Sequence, residues 1–288
     1  MTQAGPAPIL SAQQPIGVFD SGVGGLTVAQ ALLSQLPHER LVYLGDTARV
    51  PYGSRSQATV LRYSRNAARF LLQHSVKLVL IACNTASAAA LDVLSQELAI
   101  GVLGAVDPGA VAAVAATQSG AIGVIGTLAT VRSGAYERAI RRLRPQPTTR
   151  VDAQPCPLLV PLVEEGWTAT DDPVSQLVLR RYLAELAQKS PAMDTLVLGC
   201  THYPLLRPAI HRVVSDLWPH PVTLVDSAHA MAQATERLLR HEGLLATAET
   251  WTDATPRLTC FVTDEARVAE VGSRFLGHEL GGVQLVDL

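Results

Sequence analysis

The sequence predicts an α/β fold made of two pseudo-symmetric domains, each with a mainly parallel sheet flanked by helices, and with an active site between them. Three observations lead there. Short apolar, β-branched runs alternate with stretches whose apolar residues recur at three- and four-residue spacing, the rhythm of βαβ units. The composition, 48% hydrophobic with 17% charged and 5% aromatic, suits strands covered by helices on both faces. A strand–Cys–polar–helix segment also occurs twice, at Ile81–Ala86 and at Leu198–Pro204, as two facing halves would require.

Strands are predicted where apolar runs end in small polar residues: Ile16–Asp20, Leu41–Asp46, Leu78–Cys83, Gly101–Val106, Ala121–Gly126, Thr195–Cys200, Val222–Asp226, Leu258–Thr263 and Val283–Val286. Helical periodicity fills much of the space between them, at Thr27–Leu36, Ser56–His74, Thr85–Leu98, Ser133–Leu143, Pro173–Lys189 and Ala228–Glu242. The Pro108–Gly109 pair and the stretch Trp218–Pro221 read as domain crossings. They divide the chain into a flexible leader (1–14), a first domain (15–107 with 218–288) and a second domain (108–217).

A formal net charge of −2 and the absence of a dense Lys/Arg run argue against nucleic acid as a partner. The leader lacks the basic and apolar regions of an export signal, and Asp107, Pro108, Gln118 and Ser119 interrupt the Ala/Val-rich region, so no membrane span is expected. The expected location is the cytoplasm. Four cysteines show no C-x-x-C and no zinc-type spacing, so reduced thiols and no metal site are expected.

In open parallel sheets ligands bind beyond the carboxyl ends of strands. Here those positions hold Asp20 and Ser21, Asp46, Cys83 with Asn84 and Thr85, Thr127 and Thr130, and Cys200 with Thr201 and His202. Cys83 and Cys200 each stand where an apolar strand meets a helix start. Free N–H groups and the positive dipole end there can lower a thiol from about 8.5 into the range of about 3.5–7.5. A buried cysteine is by default an inert core thiol; two in the same setting among hydroxyl and amide neighbours favour chemistry. Cys156 and Cys260 lack such neighbours and read as filler.

His202, two residues beyond Cys200, is placed to exchange a proton near that sulfur. The glycines of Ser21-Gly-Val-Gly-Gly fail the dinucleotide fingerprint because position 27 is threonine, leaving a flexible turn whose N–H groups suit a small anion. No G-x-S-x-G elbow surrounds Ser21. Glu164 and Glu165 by themselves read as a solvated turn.

Taken together, FDSGVGG, YLGDTARVPYG, ACNTASA, IGTLATVRSGAY, CPLLVPLVEEG, LGCTHYPLL and VDSA resemble the motifs of the glutamate racemase family, in order and spacing, from about Pro15 to about Ala228. The resemblance implies interconversion of L- and D-glutamate without pyridoxal phosphate or metal, supplying D-glutamate for peptidoglycan. It implies that Cys83 deprotonates the D-enantiomer and Cys200 the L-enantiomer, with Asp20 assisting Cys83, and Glu164 and His202 assisting Cys200. Substrate contacts would come from Asp20, Ser21, Pro51, Tyr52, Gly53, Asn84, Thr85, Thr127, Thr130, Thr201 and His202. Asp46 would either touch the chemistry or hold the Tyr52–Gly53 loop. A homodimer is implied by the same resemblance. A racemase for aspartate or another amino acid would share the thiols and differ in the side-chain pocket. A non-catalytic protein closing on a small anion would use the same hydroxyls and leave the thiols without a task.

Overall fold

The computed structural model describes residues 9–250 and 256–288. In chain order the elements are β1 (Ile16–Asp20), α1 (Leu26–Gln35), β2 (Leu41–Gly45), α2 (Gln57–Gln73), β3 (Leu78–Ile81), α3 (Asn84–Glu97), β4 (Gly101–Gly104), α4 (Val106–Ala116), β5 (Ala121–Gly126), α5 (Leu128–Arg132) and α6 (Ala135–Leu143). There follow β6 (Arg150–Pro155), α7 (Leu159–Glu164), α8 (Pro173–Lys189), β7 (Thr195–Gly199), α9 (Arg207–Leu217), β8 (Thr223–Asp226), α10 (Ser227–His241), β9 (Leu258–Val262), α11 (Val268–Leu276) and β10 (Val283–Leu285).

The strands form two sheets, ordered β10-β9-β2-β1-β3-β4 and β6-β5-β7-β8, and every pairing between them is parallel. β1, β2, β3, β5 and β7 are buried along their whole length, which is why they read as unbroken apolar runs. Helix α2 shows the complementary pattern. Val60, Ser64, Ala67, Ala68 and Leu71 lie on its buried face, and Ser56 caps its N-terminus by accepting a hydrogen bond from the Thr59 N–H. Asp172 caps α8 in the same way, with Pro173 in the first turn, where no N–H is needed.

Each sheet reverses its strand order once. In the first, β1 is flanked by β2 and β3; in the second, β5 is flanked by β6 and β7. The crevice at such a reversal lies beyond the carboxyl ends of the two central strands. β1 and β3 deliver Asp20 and Cys83 to one crevice, and β5 and β7 deliver Thr127 and Cys200 to the other. This is the physical content of the duplicated strand–Cys segment.

Three sequence expectations are corrected. Pro108 and Gly109 do not break the chain: both lie in the first turns of α4, where proline costs no hydrogen bond, and the crossing comes just before, after β4. The return crossing does not fall at Trp218–Pro221, because β8 pairs with β7 in the second sheet; it lies beyond Asp226, where α10 packs on both α1 and α4. β6 was absent from the predicted strands because it is an edge strand with a mixed polar sequence, RVDAQP, rather than an apolar run. Of the leader, residues 1–8 lie outside the described residues, while Leu10 packs against the buried cluster between the first sheet and α2, and the Ala12 carbonyl accepts from Lys77 Nζ at 3.0 Å.

Candidate active site

The two crevices open onto one cavity of about 220 Å³. Cys83 and Cys200 both line it, each buried to 6% exposure. Ser21, Asn84 and Thr85 line it from the first sheet, Thr127, Thr201, His202 and Glu164 from the second, and Pro51, Tyr52 and Gly53 from the loop after β2. Asp20 and Thr130 stand behind the wall, fully or almost fully buried. Sequence reading missed the apolar side, formed by Val50, Leu128, Pro157, Val160 and Pro161. The signal was available in CPLLVPLVEEG, since Val160 is four residues before Glu164 and shares its face of α7.

Cys83 is the residue immediately before α3, and its Sγ lies 3.4 Å from Ser21 Oγ. Asp20 turns one carboxylate oxygen to the Gly22 N–H at 2.9 Å, and its Oδ1 has no hydrogen-bond partner among the described residues. Burial raises the Asp20 pKa, against the opposing pull of His202 and of the Gly22, Gly25 and Ser21 N–H groups. The helix start does not lower the Cys83 thiol as expected. Burial, followed by the nearby Asp20 charge, pushes it up to about 12, because desolvation of a thiolate outweighs the N-terminal N–H groups.

The Cys200 side is built differently. Its Sγ is 3.9 Å from His202 Nδ1, and His202 Nε2 is 2.9 Å from Glu164 Oε1. Burial disfavours charge on the imidazole, but the partners Cys200 and Glu164 prevail and raise it to about 10. An imidazole whose partners favour its protonated form thus adjoins one sulfur, and a buried carboxyl lies behind the other. Glu164, which looked like a solvated turn residue, is placed by α7 with its side chain 41% exposed and its tip on His202.

Polar side chains join the two halves around the cavity. Thr85 Oγ1 lies 2.9 Å from Thr127 Oγ1 and 3.1 Å from Thr130 Oγ1, and those two are 3.0 Å apart. Tyr136 donates to Asn84 Oδ1 at 2.7 Å, and Asn84 Nδ2 reaches Ser227 Oγ at 3.5 Å. Asp46 is not in the cavity wall. It accepts from Tyr52 Oη at 2.5 Å and from Thr263 Oγ1 at 3.0 Å, so its place is to hold the Tyr52–Gly53 loop.

The glycine turn also differs from expectation. A Cβ on Gly25 would come within 2.5 Å of the Asp20 Cβ, and one on Gly24 within 2.5 Å of the His202 ring. Close packing, rather than anion cradling alone, demands glycine there. Cys156 and Cys260 are buried outside the cavity. Among the described residues, no group of three or more His, Cys, Asp or Glu could hold a metal ion, and no helix is long and apolar enough to cross a membrane.

Fold and site define a two-lobed α/β protein that presents two thiols from opposed sheet crevices to one small cavity. The model of the Asp/Glu/Hydantoin racemase family matches residues 16–256, and the chain belongs to that family. Glutamate racemase from Geobacter metallireducens is 49% identical over 274 residues, covering 95% of this chain and 96% of the relative. Among solved structures, glutamate racemase isoform RacE1 from Bacillus anthracis aligns with a TM-score of 0.86 at 38% identity, over 96% of this chain and 98% of that one. Glutamate racemase from Francisella tularensis in complex with D-glutamate aligns with a TM-score of 0.85 at 35% identity, with the same coverage.

Proposed function

We propose that the chain is a glutamate racemase that inverts Cα with two opposed thiols and supplies D-glutamate for peptidoglycan synthesis in the cytoplasm. The observation that carries the reading is that Cys83 and Cys200 end corresponding strands of two sheets and line one cavity. Inverting a stereocentre requires removing a proton from one face and adding one to the other, so two groups are needed, each a base in one direction and an acid in the other.

In the L-to-D direction the Cys200 thiolate takes the Cα proton and the Cys83 thiol delivers its own to the opposite face. In the D-to-L direction the roles exchange. The raised Cys83 pKa suits a thiol held ready as the acid, with Asp20 behind it, and His202, anchored by Glu164, stands beside Cys200 to assist its proton transfer. Ser21, Asn84, Thr85, Thr127 and Thr201 offer hydroxyl and amide donors to the substrate carboxylates, and the carbanionic charge is met by donors already in place. Pro51, Tyr52 and Gly53 close one wall. Asp20, Thr130 and His202 act on the substrate chiefly through the groups they hold. No cofactor or metal is invoked, and the working assembly is proposed to be a homodimer, both in keeping with the family resemblance.

The test is exchange at Cα in deuterated water, following L- and D-glutamate separately without added cofactor. Deuterium appearing first in the product enantiomer supports two separate bases. Absence of exchange with glutamate, alongside exchange with aspartate in a panel of amino acids, overturns the substrate assignment.

A further inference from the structure

His202 belongs to the second sheet's crevice, and its polar partners Cys200, Thr201 and Glu164 are all on that side. Its ring, however, is seated by the first lobe. Phe275 of α11 meets it edge-on with ring centres 4.9 Å apart. On another side, Gly24, just before α1, comes so close that an added Cβ would lie 2.5 Å from both Cε1 and Nδ1 of the imidazole. α11 stands between β9 and β10 of the first sheet and packs on α1.

The same helix grips the other end of the relay. Arg274 donates from Nη1 to the Glu164 carbonyl at 2.6 Å and from Nη2 to Glu270 at 2.6 Å, and Arg267 pairs with Glu165 at 2.8 Å. The Arg274 guanidinium also lies against Gly166, whose φ of +78° lets the chain turn under it at the end of α7. Both His202 and Glu164 are therefore located by side chains and backbone from across the lobe interface.

We infer that Gly24, Phe275 and Arg274 are positioning residues for the Cys200 half of the reaction: docking of the first lobe aligns the Glu164–His202 pair on Cys200. Cys83 takes its neighbours Asp20 and Ser21 from its own lobe, so it does not share this dependence. The inference rests on the racemase reading above and adds an asymmetry to it. Misplacement of a catalytic group by about 1 Å costs up to about a hundredfold, so Gly24→Ala and Phe275→Ala should each lower kcat/KM at least about tenfold, with Phe275→Leu recovering most of the loss.

The equilibrium between enantiomers has a constant of one, so kcat/KM must fall equally in both directions, and the rates alone cannot locate the damage. Isotope effects can. With L-[2-²H]glutamate the deuteron is removed on the Cys200 side, and with D-[2-²H]glutamate on the Cys83 side. In the folded Gly24→Ala and Phe275→Ala enzymes, and in Arg274→Gln as a surface variant less prone to misfolding, the isotope effect on kcat/KM should rise from the L side and fall from the D side. Effects that stay unchanged, or move together from both sides, overturn the inference while leaving the racemase intact. A wild-type enzyme without turnover of either labelled glutamate overturns the underlying reading instead.

Discussion

Tyr52 donates its phenolic hydrogen to Asp46 Oδ2 at 2.5 Å, and both residues are buried. Asp46 also accepts from Thr263 and lies 3.5 Å from Arg49 Nη1, so one carboxylate ties the loop after β2 to β2 itself and to the end of β9. Removing the phenol leaves a buried acceptor short of a partner, which costs about 1–3 kcal/mol. Tyr52→Phe is expected to lower stability by about that amount and to raise KM more than it lowers kcat, because the loop walls the cavity without supplying a proton. Urea unfolding and steady-state kinetics on the same preparation check both parts.

Replacement of either thiol should stop the reaction. Cys83→Ala and Cys200→Ala are each expected to lower racemisation by more than about a hundredfold, the scale of a positioned acid–base group, whereas Cys156→Ala and Cys260→Ala should retain turnover. Chiral chromatography of glutamate after incubation measures this directly. Survival of activity in one of the first two variants would contradict the two-base scheme.

Acid and alkaline limbs of stability should have separate origins. Burial works against the Asp194 carboxylate, but donors from Ser119, Thr117 and Gln118 win and lower its pKa to about 2. Its contribution is present above the unfolded value of 3.8 and is lost as pH falls from there through about 2. His202 runs the other way: raised from 6.5 to about 10, it contributes fully below 6.5 and loses that contribution as pH rises through about 10. Unfolding midpoints measured across pH should show a flattened acid limb in Asp194→Asn and a flattened alkaline limb in His202→Gln.

Lys77 is buried with Glu39, Nζ to Oε2 being 2.8 Å, and the same ammonium donates to the carbonyls of Ala12 and Leu244. Burial lowers its pKa against the opposing effect of Glu39. Breaking such a pair from one side strands a charge and costs about 3–5 kcal/mol, whereas replacing both members with apolar residues is often close to neutral. Lys77→Met should therefore be much less stable than the double variant Lys77→Met, Glu39→Leu. Thermal unfolding of the two decides the matter, and equal losses would show that the backbone contacts outweigh the charge.

Much of the fold was legible because its central strands are buried on both faces and so announce themselves as apolar runs; β1, β5, β7 and helix α8 fall where the sequence places them, to within a residue. The edge strand β6 was not, because RVDAQP carries Arg150, Asp152 and Gln154 and forms no apolar run, unlike the edge strands β4, β8 and β10, which the sequence does place. Pro108 misled because a proline in a first helical turn and a proline that ends an element look alike in one dimension. The paired cysteines and their flanking hydroxyl and amide residues were visible as strand-end motifs, but the apolar wall of the cavity was not singled out.

By itself the sequence determined the two-lobed parallel architecture, the family resemblance and which residues gather at strand ends, because periodicity and local motifs act over a few residues. The tertiary structure alone decided what surrounds each of them. Burial beside Asp20, not the start of α3, sets the Cys83 thiol at about 12, and contacts from Gly24 and Phe275, far from His202 in sequence, fix the imidazole beside Cys200. Desolvation and packing are sums over neighbours brought together by the whole fold, so they have no signature in any short stretch of chain.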